Sequence, residues 1–367
     1  SVRDHILGIA PKDFDIVTDA TPDQISALFP NALPIGKQFG IIIVPYDGFQ
    51  IEIATFRKDG PYLDGRHPES VEFATAIEDA KRRDFTVNAL FFDPLKKVII
   101  DHVGGQQDVR AKILRAVGDP QNRFQEDKLR ILRAFRFAGQ LGFELDEATY
   151  RAALEYNLKE VSLERIRDEF KKMLLCDDSI KAISLLQQSG FIQQVLPDVN
   201  ISPLAKLVLF SLGENKSFIC ALTLLLALSD VSPAAIEFIL SRLKLSNDEK
   251  KETLFNISNW NLILDGKVDD AKLLRTFANG GASSLLKCYE ALALVVPKFK
   301  KRLKEFQIIS GQKLPEAFLS AKDLMEAGIS PGPSMGSLLK LAFDMQLKNE
   351  LKSKSESLSW LKKQKPQ

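Results

Sequence analysis

The chain has 367 residues, 45% of them hydrophobic and 27% charged, with 50 Lys and Arg against 48 Asp and Glu. Such a length holds two or three domains with ample core, and the composition excludes a disordered, collagenous or disulfide-rich secreted chain. A formal charge of +2 excludes a globally basic surface, so a nucleic-acid partner must be met by basic residues gathered on one face.

In chain order, Ser1-Val2-Arg3-Asp4 opens without Met and reads as the continuation of a first strand lying upstream. Runs rich in Ile, Val and Phe predict strands at 14–17, 40–46, 49–56, 85–92 and 98–100. Thr21-Pro22-Asp23 is a helix start, with Thr as N-cap and Pro at the first helical position. Tyr46-Asp47-Gly48 predicts a hairpin turn. Beyond Gly105 nearly every segment has helical spacing and is dominated by Leu, Ala, Lys and Glu. Pro197, Pro203, Pro233, Pro297 and Pro331-Gly332-Pro333 mark breaks between helices, and the Lys- and Ser-rich stretch from Lys352 is expected to fray. The class is therefore α+β, an α/β head followed by a long helical extension. The longest apolar run, Phe218 to Leu228, is too short to span a membrane and fits a buried helix. Cys176, Cys220 and Cys288 lack metal-ligand spacing and read as reduced thiols of a cytoplasmic protein.

Asp13-Phe14-Asp15 places two carboxylates at alternate positions of a strand, so both face one side. Glu52 lies mid-strand in Gln50-Ile51-Glu52-Ile53-Ala54, and a carboxylate flanked by apolar residues there needs a cation or a basic partner. Asp13, Asp15 and Glu52 make a hard-oxygen set suited to Mg²⁺, with Asp13 and Asp15 as the metal ligands. Such a site polarises an attacking hydroxyl and neutralises a leaving pyrophosphate. There is no Gly-x-x-x-x-Gly-Lys-Ser/Thr loop. Arg3 and Arg57 are the available phosphate clamps, although each alone serves equally well as a surface ion pair.

Glu126 to Phe137 reads as one helix. At roughly 100° per residue, Asp127 and Arg130 are neighbours one turn apart. Arg133 continues the same drift, whereas Arg136 has moved to the opposite side, beside Leu129, Leu132 and Phe135, as a structural or phosphate residue. Taken alone, Asp127 and Arg130 are an ordinary i,i+3 salt bridge. With a nucleotide present, the carboxylate accepts from the amino group of C or A while the guanidinium donates to the adjacent ring acceptor. U and G present a carbonyl where the carboxylate sits, so CTP and ATP would be accepted and UTP and GTP rejected.

In these residues the chain resembles the class II tRNA nucleotidyltransferases, or CCA-adding enzymes, whose relatives include the bacterial poly(A) polymerases. Val2-Arg3-Asp4-His5-Ile6-Leu7-Gly8 resembles the end of the family's Gly-Gly-x-Val-Arg-Asp motif, and Asp13-Phe14-Asp15 its metal pair. The stretch Arg82-Arg83-Asp84-Phe85-Thr86-Val87-Asn88-Ala89 is similar to the motif that holds the ribose, and Asp101 with Gly104-Gly105 resembles the joint between head and neck. Glu126-Asp127-x-x-Arg130 resembles the amino-acid template for the incoming base, and the segment from Asp323-Leu324 to Gly336-Ser337-Leu338-Leu339 the C-terminal part. The resemblance implies nucleotide contacts at Arg3, Arg82, Arg83, Asp84, Asn88, Asp127, Arg130, Arg133 and Arg136. It implies a polymerase-β-like head at 1–108, then an all-α neck at 109–185, body at 186–300 and tail at 301–367. The activity it implies is Mg²⁺-dependent, template-independent addition of C, C and A to tRNA from CTP and ATP, with the helical part gripping the acceptor and T arms.

Lys58 to Phe73, with Asp64-Gly65-Arg66, resembles the family's flexible loop and implies competence to add A. Gly36-Lys37-Gln38-Phe39-Gly40 stands where poly(A) polymerases carry a basic Gly-Arg-Arg-Phe stretch. The glycine pair that precedes Val-Arg-Asp in the family is not in this sequence, which predicts weaker nucleotide binding. His5, His67 and His102 all lie in the head and none follows Asp230, so neither a phosphohydrolase His-Asp motif nor a zinc site is expected. Poly(A) polymerase, a partial A-adding enzyme and a catalytically inactive RNA-binding homologue stand as the alternatives, and the sequence is compatible with a monomer or a dimer.

Overall fold

A two-residue turn sets the register of the first sheet. Asp47 and Gly48 both have positive φ, 47° and 79°, the conformation whose twist suits a tight hairpin. It joins strand β2 (Ile41–Tyr46) to β3 (Phe49–Thr55) with Tyr46 opposite Phe49. Strand β1 (Ile16–Thr18) pairs parallel to β3, giving a mixed sheet of order β1-β3-β2. The computed structural model describes residues 1–11, 14–60, 71–213, 216–264, 269–278 and 282–364. Within them the chain forms two compact units, Ser1–Val199 with Ser232–Lys244, and Asn200–Val231 with Leu245–Gln367.

In the first unit, Thr21 caps the helix Pro22–Leu28 in a capping box with Gln24, as its sequence predicts. Ile25 of that helix packs on Ile42, Val44 and Ile53 of the sheet. Strands β4 (Arg57–Asp59) and β5 (Val71–Phe73) form a separate antiparallel pair, as do β6 (Leu90–Asp93) and β7 (Val98–Asp101). The strand expected over 85–92 therefore starts only at Leu90, because Thr86–Asn88 winds into a 3₁₀ turn. Local polar bonds compete with the ladder there: Thr86 Oγ1 donates to buried Asp108 at 2.7 Å and the Asn88 amide donates to Asp84 at 3.1 Å.

Asp101 ends β7 by accepting the N–H groups of Val103, Gly104 and Gly105 on one oxygen and that of Gln106 on the other. Partial burial opposes its charge, but these four donors win and hold its carboxyl below the ordinary range. The helix Gly105–Ala111 follows. Its first residue lies so close to the 3₁₀ turn that a Cβ on Gly105 would stand 2.2 Å from the Thr86 carbonyl oxygen.

The helix expected from Glu126 to Phe137 is two helices, Pro120–Glu126 and Leu129–Leu141. Asp127 breaks them with extended backbone, φ −148° and ψ 102°. Its side chain then accepts the N–H of Leu129 at 3.0 Å and its carbonyl that of Arg130 at 3.0 Å. A short carboxylate serves the start of the new helix better than it serves a helix interior.

The second unit is helical among its described residues. Phe218–Ala227, the longest apolar run, is a buried helix as expected, and Pro203 and Pro333 each sit in the first turn of a helix, as Pro233 does in the first unit. Phe277 and Phe306 stack at 4.5 Å beside buried Tyr289. The stretch from Lys352 does not fray. Lys354–Lys363 is a helix capped by Ser353, and Leu361 is fully buried with Leu319, Leu324, Met335, Ala342 and Leu351. Leu358, Trp360 and Leu361 supply an apolar face within the Lys- and Ser-rich composition. All three cysteines are free and buried. Among the described residues no helix is long and apolar enough to cross a membrane.

Candidate active site

The parallel register pairs Ile16 with Ile53, so Asp15, just before β1, stands one residue back from that pair as Glu52 does on β3. Both are exposed. Glu52 thus needs no buried partner, because water solvates it, and what ties it to the acidic pair is its register with Asp15. Asp13 lies outside the described residues. Among those described, no group of three His, Cys, Asp or Glu could hold a metal ion. Two open carboxylates, Asp15 just before β1 and Glu52 midway along β3, nevertheless fit a hard cation that keeps several waters.

The proposed phosphate and sugar residues are held from behind by a carboxylate the sequence reading missed. Asp79 has a side chain only 1% exposed. One of its oxygens takes Arg82 at 2.9 and 2.6 Å and the other takes Arg83 at 3.1 Å. The signal was present: Asp79 precedes the two arginines by three and four residues, which is ion-pair spacing on the helix Ala76–Arg82. Arg57 instead turns its guanidinium to the Phe39 carbonyl at 2.5 Å. Arg3 donates to Asn88 at 2.6 Å, and Asn88 donates to Asp84.

Asp84 in turn accepts Arg133 at 2.9 and 2.6 Å and the Phe85 N–H at 2.8 Å. Burial opposes its ionisation, but the Arg133 charge and these hydrogen bonds prevail and hold its carboxyl below the usual value. Arg136 donates to Glu169 at 2.6 Å and to Gln140 at 2.7 Å. Burial pulls its pKa down against the opposing pull of Glu169. Glu169 is itself buried, and with the partners 33 positions apart no local signal could have found it.

Asp127 and Arg130 come together, but not as an ion pair with each other. Arg165 donates to Asp127 at 2.7 Å, and Arg130 donates to Glu126 at 2.6 Å. Arg130 also reaches the Arg82 carbonyl at 3.3 Å, so the base-reading segment is bonded to the segment assigned to the sugar. Of the proposed flexible loop, β4 and β5 are its paired legs; Asp64-Gly65-Arg66 and His67 lie outside the described residues.

A mixed sheet with Asp15 and Glu52 on its adjacent strands β1 and β3, and with arginines at the end of the helix Ala76–Arg82, is the arrangement of the nucleotidyltransferase class. The family model "Poly A polymerase head domain" matches residues 1–115, "Probable RNA and SrmB-binding site of polymerase A" matches 142–201, and "tRNA nucleotidyltransferase domain 2" matches 214–361. The chain is 34% identical over 375 residues to the CCA-adding enzyme of Lactococcus lactis, covering 98% of this chain and 90% of that one. It is 46% identical over 189 residues to that of Bacillus pumilus, a match spanning 50% of this chain and about half, 47%, of the relative. The Bacillus stearothermophilus CCA-adding enzyme in complex with CTP superposes with a TM-score of 0.77 at 27% identity, over 99% of this chain and 91% of that one. The chain belongs to the class II CCA-adding enzyme family, whose members depend on divalent metal.

Proposed function

We propose that this protein adds C, C and A to the 3′ end of tRNA without a nucleic-acid template, transferring CMP and AMP from CTP and ATP and releasing pyrophosphate. The observation that carries it is the bond from Arg130 to the Arg82 carbonyl, with Arg133 on Asp84 beside it. A nucleotide whose ribose and phosphates meet Arg82, Arg83, Asp84 and Asn88 then has its base brought to Asp127 and Arg130 at a fixed spacing. Arg165 and Glu126 orient that pair, which leaves the remaining carboxylate lone pairs for the amino group of C or A. We assign Arg3, Arg133 and Arg136 to the nucleotide as well, Arg136 as a structural or phosphate residue.

Asp13 and Asp15, with Glu52 alongside, are the residues to hold Mg²⁺, which when bound supplies charge to neutralise the triphosphate. The carboxylates also orient the tRNA 3′-OH towards the α-phosphate. The helical parts, read as neck 109–185, body 186–300 and tail 301–367, grip the acceptor and T arms through phosphates, so binding weakens with salt. Three free buried cysteines fit a cytoplasmic setting.

The test is incubation of the full-length protein with tRNA lacking CCA, and with an unstructured RNA, using labelled CTP or ATP and Mg²⁺. Three-nucleotide extension confined to the tRNA is expected. Long A-tails on the unstructured RNA would make it a poly(A) polymerase, and no incorporation an inactive RNA-binding homologue.

A further inference from the structure

Three guanidinium groups gather on one aromatic ring: Arg133 and Arg136 from the ring's own helix, Leu129–Leu141, and Arg3 from the helix Val2–Ile6. Arg3, Arg133 and Arg136 lie 5.4, 5.3 and 3.9 Å from the centre of Phe137, all within the reach at which a ring face attracts a cation. Arg3 is held at its edge by Asp4 and Asn88, Arg133 by Asp84, and Arg136 by Glu169 and Gln140, with Glu169 also 3.9 Å from Arg133. Edge bonds fix where the N–H groups point. Glu169 serves Arg133 and Arg136, and only the ring is common to all three.

The ring is itself held still. Phe137 is 8% exposed and packs edge-on against fully buried Phe85, with ring centres 5.9 Å apart, in a cluster with Val87, Leu90 and Val109. A leucine keeps the site apolar, with some loss of volume, but offers no π face, whereas a tyrosine keeps one.

We propose that Phe137 is a positioning residue for the triphosphate, a shared platform that keeps Arg3, Arg133 and Arg136 converged on one polyanion. The inference rests on placing those arginines in the nucleotide site. It assigns to the ring a role that core packing alone does not require.

The experiment compares the full-length wild type with Phe137→Leu, Phe137→Met and Phe137→Tyr. It measures KM and kcat for CTP and ATP on tRNA lacking CCA, equilibrium binding of inorganic tripolyphosphate, and melting temperature. The aliphatic variants should raise both KM values and the tripolyphosphate Kd about tenfold, the sum of two or three weakened cation–ring contacts, with kcat changed less than about twofold. The preference for C and A over U and G should stay as in wild type, and Phe137→Tyr should restore binding. Wild-type KM and Kd in the aliphatic variants would overturn the proposal. So would a loss that follows melting temperature and is not restored by tyrosine. If the wild type incorporates no nucleotide, the proposed reaction fails, and tripolyphosphate binding alone decides the platform: loss in Phe137→Leu supports it, while equal binding, or none by wild type, overturns it.

Discussion

Arg133 places two hydrogen bonds on a single oxygen of Asp84, at 2.9 and 2.6 Å, across 49 residues of chain. The contact joins the helix Leu129–Leu141 to the Arg82-Arg83-Asp84 segment, so the residues assigned to base and sugar share one rigid support.

That pair makes stability depend on pH in a stated direction. The Asp84 carboxyl is depressed in the folded state, so its contribution is complete above the unfolded carboxylate value near 4 and is lost as pH falls through the lower folded value. Asp84→Asn leaves half-buried Arg133 with only the more distant Glu169, 3.9 Å away, and should cost about 3 kcal/mol at neutral pH. Urea unfolding from pH 7 to pH 3 should show the gap between wild type and variant shrinking below about pH 4. A gap that stays constant across that range would contradict the assignment.

Gly105→Ala should destabilise the first unit, because the added methyl would stand 2.2 Å from the Thr86 carbonyl oxygen and backbone must move. A loss of about 1–3 kcal/mol in denaturant unfolding is expected, as for other overpacked sites. Gly104→Ala tests backbone strain separately, since Gly104 has φ 81° and open space around it.

Asp15→Asn should lower kcat on the order of a hundredfold while leaving the melting temperature within a degree or two, since Asp15 is exposed and its loss removes catalytic charge rather than packing. Chelation of divalent metal should abolish incorporation by wild type, and added Mg²⁺ should restore it. A variant as active as wild type would remove Asp15 from the metal site.

What could be read from the sequence was whatever depends on neighbours in the chain. The Asp47-Gly48 turn, the Thr21 cap and the prolines that open helices are local choices, and each stands where its residues predict. Asp127 shows the limit of periodicity. Its spacing from Arg130 suited one continuous helix, but its own carboxylate supplies a competing local bond and divides the segment in two. The apolar neighbours of Glu52 called for a cation or a basic partner, yet it stands on the exposed face of an alternating strand, where water solvates it. Glu169 and Arg165 could not be found in this way, because they meet Arg136 and Asp127 only after helices 33 and 38 residues apart have packed. The last helix was missed because Lys and Ser dominate its composition, while a few apolar residues on one face decide its burial.

The most direct test of the base-reading account is the nucleotide preference of Asp127→Ala, measured as the ratio of CTP and ATP incorporation to UTP and GTP incorporation on tRNA lacking CCA. The account predicts that this ratio falls by about tenfold or more, because the carboxylate that repels the U and G carbonyls is gone. A variant that is slower with every nucleotide but keeps the wild-type ratio would contradict it.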